Sequence, residues 1–318
     1  MGYREVSPEL EAIAVKELNE DPKRRDQDIQ HIKDWLSKQP HLRARDDDQW
    51  ILTFLRGCKF SLEKTKQKLD TFYTLRSALP DIFINRDPFS PKAQKYLSSR
   101  LALVWCVPIG RVVVELPRRS PEGRRVIIWR PGLLAPGSLS AEDVSRVNFM
   151  NADATLHEDD ATVICGEVTI QDFQGTTMAH FASWTPWQMK RITTCFQDGY
   201  PLRAKGLHMI NVPSGFEKLF SLFEQFFKEK IRKRIFVHAN LESLHKHVPK
   251  EILPEEYGGD AGPIDKIQSE WRSRIERNAA FFKEDDKYGV DESKRPGKPK
   301  TQTDLFGVEG SFRQLAVD

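Results

Sequence analysis

The first hundred residues carry apolar positions at spacings of three and four, which is the pattern of amphipathic helices. In the segment 8–20, Leu10, Ile13 and Leu18 lie near one face. Three carboxylates at positions 46–48 precede a second apolar run, and carboxylates stabilise the start of a helix. Ser61 can cap a third helix. No alternating run interrupts this region, so we predict helices alone over it.

Beyond residue 111 short apolar runs alternate with segments of helical periodicity. Two strands, 112–116 and 126–129, flank turn residues and predict a hairpin. The elements predicted after it are a helix from the capping-box pair Ser140 and Asp143 to about His157, a strand over 163–172, a helix from Thr185 to about Gly199, a strand over 206–212, a helix over 216–230 and a strand over 234–239. Strands that alternate with helices predict an α/β fold with a mainly parallel sheet and right-handed crossovers.

The last part of the chain has a different composition. Residues 293–303 are rich in Lys and Pro and predict a linker, while Leu305, Phe306, Phe312 and Leu315 predict a tail that docks on the body. We therefore divide the chain into a helical domain (1–95), an α/β domain (96–275) and a C-terminal extension (276–318).

Composition narrows the class of protein. The apolar fraction is 39%, but 19 Phe and 7 Trp supply enough apolar surface for a folded core. No run of about 18 apolar residues predicts a membrane span, and the first residues predict no secretory signal. The four cysteines, none in a Cys-x-x-Cys pair, predict buried thiols in a reduced cytosolic compartment. A net charge of +3 gives no reason to expect nucleic-acid binding.

The positive charge is concentrated in residues 203–234, where eight Lys and Arg face three Glu, a local net charge of +5. This segment also contains an apolar helical face, made of Phe216, Leu219, Phe220, Phe223, Phe226, Phe227 and Ile231. Two interpretations are open: a core helix packed on the sheet, or a helix that covers an apolar cavity and can also meet a bilayer.

Motifs of catalysis are missing from the sequence. It has no Gly-x-Gly-x-x-Gly, Gly-Lys-Ser/Thr or Gly-x-Ser-x-Gly pattern, and Val212 to Gly215 lacks the first glycine of a nucleophile elbow. His245 and His247, like the run at 157–160, lack partners at metal-ligand spacing. We expect no catalytic residues, no metal and no enzyme activity.

Five motifs, in order, carry a resemblance to a known family. They are Phe54-Leu55-Arg56-Gly57-Cys58-Lys59-Phe60, Asp172-Phe173-Gln174-Gly175, the run from Tyr200 to Asn211, the run from Lys230 to Ile235, and the run from Leu253 to Gly259. The chain resembles the CRAL-TRIO lipid-transfer family over positions 8–275, and is most similar to its branch of alpha-tocopherol transfer and cellular retinaldehyde-binding proteins. The resemblance implies a helical bundle, followed by a lipid cavity between the sheet and a movable gate segment, here residues 214–230.

The resemblance also implies two sets of site residues. A phosphoinositide-binding basic cluster would consist of Arg203, Lys205, Lys230 and Arg234. A further arginine of the relatives falls on Cys58, and Lys59 would point about 100° round a helix from it, so we do not expect Lys59 to substitute. The residues placed around the lipid are Ser145, Asn148, Phe149, Ala152, Ile192, Cys195, Phe196, Leu202, Leu207 and Met209, with Phe181, Phe216, Phe220 and Phe223 closing the lid.

The strand predicted over 163–172 is unusual for a buried parallel strand, because Glu167, Thr169 and Gln171 share one face. That face is a hydrogen-bonded network with buried water, the contact for a polar group of the ligand, or part of a cavity that does not suit tocopherol. A lone carboxylate in apolar surroundings is costly, so Glu167 should be paired or protonated.

Together these features predict a monomeric cytosolic carrier of a small hydrophobic lipid, such as a tocopherol or a retinoid. Its partners would be this ligand, which is its only bound group, and an anionic phosphoinositide membrane that it visits transiently. The alternative is a signalling adaptor that senses the lipid without net transfer.

Overall fold

The computed structural model describes residues 2–98, 112–182, 184–267 and 271–307. Its longer helices are α1 (Pro8–Leu18), α2 (Arg25–Leu36), α3 (Asp48–Gly57), α4 (Leu62–Ala78), α6 (Pro91–Ser98), α7 (Ala141–Glu158), α10 (Pro186–Thr194) and α11 (Phe216–Glu224). Shorter ones are α5 (Pro80–Phe83), α8 (Asp160–Cys165), α9 (Met178–Phe181), α12 (Glu229–Arg232), α13 (Leu241–His245), α14 (Trp271–Arg277), α15 (Ala279–Asp285) and α16 (Gln302–Phe306). The strands are β1 (Leu42–Arg43), β2 (Val113–Glu115), β3 (Arg125–Trp129), β4 (Glu167–Asp172), β5 (Ala204–Ile210), β6 (Ile235–Val237) and β7 (Gly289–Val290).

A five-stranded sheet in the order β2-β3-β4-β5-β6 forms the centre of the fold. The pair β2 and β3 is antiparallel, as the predicted hairpin requires, and the other neighbours are parallel. The α/β class with a mainly parallel sheet is thereby confirmed.

The two faces of this sheet are covered by different parts of the chain. On the outer face, Ile128, Ile170 and Ile210 pack with the segment 241–267. On the inner face, Ile127 joins a large core that α7 shares with the N-terminal helices. Since side chains alternate along a strand, Glu167, Thr169 and Gln171 of β4 lie on the inner face.

Helix α7 begins where the sequence predicts it. Ser140 Oγ accepts from the backbone N–H of Asp143 at 3.2 Å, and Asp143 Oδ2 accepts from the backbone N–H of Ser140 at 3.2 Å. The two bonds satisfy amide donors that a helix start leaves unpaired.

Two predicted elements are wrong in their bounds. Residues 160–165 form α8 and not the start of a strand, because Asp159 caps the amide of Thr162 and Gly166, at φ +88°, ends the helix before β4. The gate segment is not one helix either: α11 ends at Glu224, and Lys228 has extended backbone dihedrals before α12.

The N-terminal region contains one strand that the sequence pattern did not predict. β1 pairs with β7 in an antiparallel two-stranded sheet, which binds the C-terminal extension to the helical part. Further along the extension, Phe306 of α16 is buried and its ring lies 5.8 Å from that of Trp187. Phe312 and Leu315 lie outside the described residues.

Three segments of the chain share one buried charge network. Arg76 of α4 lies 2.5 Å from Asp153 of α7 and 2.9 Å from Asp285 of α15. Arg86 contacts both carboxylates, the latter at 2.6 Å, and Tyr200 donates to Asp153 at 2.7 Å. Since charges out of water need close partners, this group fixes the helical part, α7 and the C-terminal extension against one another.

Across the described ranges, no helix is both long and apolar enough to cross a membrane. Cys58, Cys165 and Cys195 are buried free thiols, and Cys106 lies in the range 99–111, outside the described residues.

Candidate functional site

Helix α11 covers one end of the inner sheet face through phenylalanine rings. The ring of Phe216 lies 4.9 Å from that of Phe173, 5.5 Å from that of Phe181 and 5.8 Å from that of Phe220. Gly215, just before α11, has a φ of +84°, and a Cβ placed there would meet nothing within 4 Å. The ring contacts of Phe216 therefore hold the N-terminal end of α11 over the sheet.

The C-terminal end of α11 is fastened to the π-helical turn that follows α10, Cys195–Gly199. Gln197 Nε2 donates to the carbonyl of Phe226 at 3.0 Å, and Gln197 Oε1 accepts from the amide of Lys228 at 2.6 Å. These bonds satisfy the backbone where the helix breaks. Phe226, Phe227 and Ile231 consequently do not continue the face of α11, contrary to the sequence prediction.

The residues predicted around the lipid fall into two apolar groups. Phe149, Ala152 and Cys195 belong to the large core, with Ile192 and Leu202 packed against it. Met209 and Phe216 belong to a small separate cluster, against which Phe181, Leu207 and Phe220 pack. Phe223 is buried and Phe196 half-buried. That a slot for an apolar ligand lies between the two groups stays a prediction.

The inner face of β4 lies between these groups and divides into two parts. Thr169 and Gln171 pair in register with Leu207 and Met209 of the small cluster. Both side chains are half-buried, and neither forms a hydrogen bond within the described part of the chain. Two polar groups thus remain available on an otherwise apolar surface.

Glu167 has a different environment from its neighbours on the same face. Its Oε2 lies 2.7 Å from Nη2 of Arg125, the register partner on β3, and Arg125 also donates to Thr155 at 2.8 Å. The side chain of Arg125 is only 2% exposed. The expectation that Glu167 is paired is confirmed, and its partner, which sequence reasoning missed, places Glu167 in a structural network.

On α7, the two polar residues predicted at the pocket have partners in the protein. Ser145 Oγ donates to the carbonyl of Ala141 at 2.6 Å. Asn148 Oδ1 accepts from the hydroxyl of Tyr96 at 3.2 Å, and this hydroxyl accepts from Trp129 Nε1 at 3.2 Å. Burial raises the pKa of Tyr96, so its hydroxyl stays a donor at neutral pH.

Of two cavities in the described chain, the smaller lies near these elements and the larger lies elsewhere. One of about 50 Å³ is lined by Trp129, Val144 and Phe181 and adjoins the predicted slot. One of about 470 Å³ lies at the C-terminal extension, between Thr74, Glu292 and other polar residues. The larger cavity shares no residue with the predicted lipid site.

The four residues of the basic cluster lie near the N-terminal ends of β5 and β6. Arg234 donates to the carbonyl of Ala204, the residue between Arg203 and Lys205. Partial desolvation and the positive charges of Arg234, Lys59 and Arg203 lower the pKa of Lys230. Lys230 therefore carries a charge close to other cations, an arrangement that attracts a multiply charged anion.

The helical part adds two cations beside this cluster, one of which, Lys59, was not expected to contribute. Lys59 and Lys64 both act on the pKa of Lys230. Lys59 is not on a helix, since α3 ends at Gly57 and Lys59 has a φ of +56°, so the argument from 100° per residue was wrong. A left-handed turn at a lysine has no sequence signal of the kind that a glycine gives.

Gly57 allows the helical part to come this close. A Cβ on Gly57 would lie 2.3 Å from the carbonyl oxygen of Pro201 and 2.4 Å from its Cβ. Only a residue without a side chain fits between α3 and this loop. This close approach of α3 to the loop at Pro201 accompanies the action of Lys59 and Lys64 on Lys230.

One carboxylate faces the basic cluster. Glu17 of α1 lies 2.7 Å from Arg203 and 3.1 Å from Lys205. The hydrogen bond from Arg203 is the main cause that lowers the pKa of Glu17 to about 2. Glu17 is ionised at any physiological pH.

Other family motifs meet at Asp172, at the end of β4. Its carboxylate accepts from the Tyr257 hydroxyl at 2.8 Å, the Asn211 amide at 2.8 Å and the backbone N–H of Gln174 at 3.0 Å. The motifs at 172–175, 200–211 and 253–259 thus hold one another in place. No group of three or more His, Cys, Asp or Glu within the described ranges is arranged to hold a metal ion.

Comparisons with known proteins bear on the family of the chain. The family model of the CRAL/TRIO domain matches residues 112–259, and a model described as a Pinta-like UBA domain matches residues 21–93. An alpha-tocopherol transfer protein-like protein of Homo sapiens is 31% identical over 262 residues, 82% of this chain and 72% of its own length. Clavesin-2 of Homo sapiens is 30% identical over 316 residues, 98% of this chain and 91% of its own. The crystal structure of Sfh5 aligns with a TM-score of 0.45 and 15% identity, over 82% of this chain and 99% of that one.

Proposed function

Because the chain belongs to the CRAL-TRIO family of lipid-binding and lipid-transfer proteins, we propose that it carries a small hydrophobic lipid, such as a tocopherol or a retinoid, under α11. The observation that carries the proposal is the packing of α11: Phe216 and Phe220 join a small apolar cluster that is separate from the main core. A helix held in this way can leave the sheet without unfolding the rest.

The energetics suit a carrier that needs a trigger to release its ligand. Burying roughly 400 Å² of apolar ligand surface stabilises the complex by about 10 kcal/mol at 25 cal/mol/Å². Ordering the ligand and α11 takes back part of this. Spontaneous release is then slow, and displacement of α11 at a membrane would accelerate it.

The ligand we propose is apolar over most of its length and has one hydrogen-bonding group. The side chains of Thr169 and Gln171 lack hydrogen-bond partners in the described chain, whereas Glu167 forms an ion pair with Arg125. A ligand hydroxyl or carbonyl at these two side chains supplies the missing hydrogen bonds, each worth about 1 kcal/mol.

We further propose that the protein docks transiently on phosphoinositide membranes through the basic cluster, with Lys59 and Lys64 added. Each Lys or Arg near an anionic surface contributes about 1 kcal/mol. This surface lies beside the break between α11 and α12, so docking would act where the lid is fastened. The proposed carrier works in the cytoplasm as a monomer.

Two measurements test the carrier function. Native mass spectrometry of the purified full chain should show one apolar lipid per molecule, and the protein should move that lipid between two vesicle populations. Binding without transfer would favour the sensing adaptor, and a protein that never binds lipid would refute both.

Vesicle flotation tests the docking surface. The double variant Lys59→Ala with Lys230→Ala should bind phosphoinositide vesicles roughly thirtyfold less, since two contributions of about 1 kcal/mol are lost. Lys246→Ala with Lys283→Ala removes the same charge from exposed sites elsewhere and should bind like the parent. Equal losses in both double variants would contradict a localised site.

A further inference from the structure

Glu17 covers one half of the basic cluster. Its carboxylate contacts both Arg203 and Lys205. The guanidinium of Arg203 is also committed to the carbonyl of Ile164. Lys230 and Arg234, in contrast, have no carboxylate within 4 Å in the described part of the chain. The cluster therefore has an open half and a half covered by the protein's own anion.

Building on the membrane docking proposed above, we propose that Glu17 is a specificity-determining residue, which withholds Arg203 and Lys205 from singly charged lipids and yields them to headgroups that carry phosphate monoesters. The ligand class is thus a lipid phosphate with more charge than a carboxylate.

The selection follows from a competition between anions for the same donors. A phosphodiester headgroup carries one negative charge, as Glu17 does, so exchanging one for the other gains nothing. Glu17 also competes as a tethered group, whose effective concentration is in the millimolar range or above. A phosphate monoester carries about −1.5 to −2 charges and three acceptor oxygens, so it forms stronger bonds to the same two cations.

Glu17 can yield its place without unfolding. Its side chain is 43% exposed, whereas Ala14 and Leu18 of the same helix are fully buried against Ile164 and Cys165. An exposed side chain changes rotamer within nanoseconds. The exchange needs a rotation of one side chain while α1 stays docked.

The test compares Glu17→Gln with Glu9→Gln in the full chain. Glu9 lies on the same helix and has no cation within 4 Å in the described residues, so both variants change the net charge equally. Flotation is measured with two kinds of phosphatidylcholine vesicle, one containing phosphatidylserine and one phosphatidylinositol bisphosphate, adjusted to the same total charge. A third, uncharged vesicle measures background.

Glu17→Gln should raise binding to phosphatidylserine vesicles about tenfold, between the roughly fivefold expected for one freed cation and the roughly thirtyfold for two. Binding to bisphosphate vesicles should rise much less, so the preference for bisphosphate narrows. Glu9→Gln should keep the preference of the parent.

The other outcomes separate the role of Glu17 from membrane docking itself. If Glu17→Gln keeps the parent's preference while the parent still favours charged over uncharged vesicles, Glu17 is not a selector and the docking proposal stands. If only Glu17→Gln binds charged vesicles, Glu17 blocks the cluster from every lipid and selects none, so both the selection and docking by the parent are refuted. If no protein favours charged vesicles, both proposals fail.

Discussion

Replacing Glu167 by leucine should destabilise the protein strongly, although Glu167 lies on the same strand face as the proposed ligand contacts. The change leaves Arg125 buried without its nearest carboxylate, which is 2.7 Å away in the parent. Breaking a buried pair costs about 3–5 kcal/mol. Arg125 keeps Thr155 at 2.8 Å and the carboxylates of Glu115 and Asp159 at 3.8 and 3.9 Å. We therefore expect a loss of about 3 kcal/mol, at the low end.

Urea unfolding of the full chain measures this loss. With a slope near 3 kcal/mol/M, the midpoint should fall by about 1 M. Gln171→Leu is the matched control, because Gln171 lies on the same strand face as Glu167 and its side chain has no hydrogen-bond partner in the described chain. This variant should change the free energy of unfolding by less than about 0.5 kcal/mol. Equal midpoints for the two variants would refute the reasoning.

A second variant separates the pair from the site. Arg125→Met combined with Glu167→Leu removes both charges, and Glu115 and Asp159 keep partners in Arg274 and Arg119 at 2.8 Å. Most of the lost stability should return, because an apolar pair of similar volume replaces a buried ion pair at little cost. A double variant no more stable than Glu167→Leu would mean that the loss does not come from the unpaired arginine.

Three further predictions concern the close contact, the lid and acid stability. Gly57→Ala should lower the free energy of unfolding by about 1–3 kcal/mol, because the new Cβ would meet Pro201. At a relaxed helical site the same substitution usually raises the free energy of unfolding by about 0.4–1 kcal/mol. An unchanged or higher urea midpoint would contradict the contact. Phe220→Asp should keep the fold but lose the bound lipid in native mass spectrometry, while Leu222→Asp on the exposed side of α11 should keep it; global unfolding by Phe220→Asp would make α11 a core helix. Because the pKa of Glu17 is depressed to about 2, its contribution to the free energy of unfolding is complete above about pH 4.5 and is lost as pH falls toward about 2. The stability difference between the parent and Glu17→Gln should therefore vanish across that range. A constant difference would show that the ion pair with Arg203 is not its source.

Local signals in the sequence predicted the regular elements well. Ser140 and Asp143 mark the start of α7 with a capping box, and Thr185 before Pro186 marks α10. The family resemblance, carried by motifs that contact one another, is confirmed by the family model and the relatives. Such features depend on neighbours three or four residues away, which a sequence displays directly.

Most of the misjudged features depend on distant contacts. Residues 163 and 164 are the exception: Val163 and Ile164 favour a strand by type, but the local cap from Asp159 makes that segment helical. The phenylalanine spacing runs on past Glu224, yet Gln197 holds the backbone where α11 stops. The strand β1 exists only because β7, almost 250 positions later, pairs with it. The partner of Glu167 likewise depends on the register of two strands.

The buried network around Asp153 limits how the chain can evolve by exchange of parts. Residues 112–259 hold Asp153 but neither arginine, so transplanting this segment alone buries a carboxylate with no counter-charge. Keeping the N-terminal helices but replacing the C-terminal extension, which carries Asp285, leaves two arginines against one carboxylate. The first recombinant holds an uncompensated negative charge and the second an uncompensated positive charge, each at a cost of several kcal/mol. We therefore expect a stable exchange at these boundaries to require that the charged partners be exchanged together.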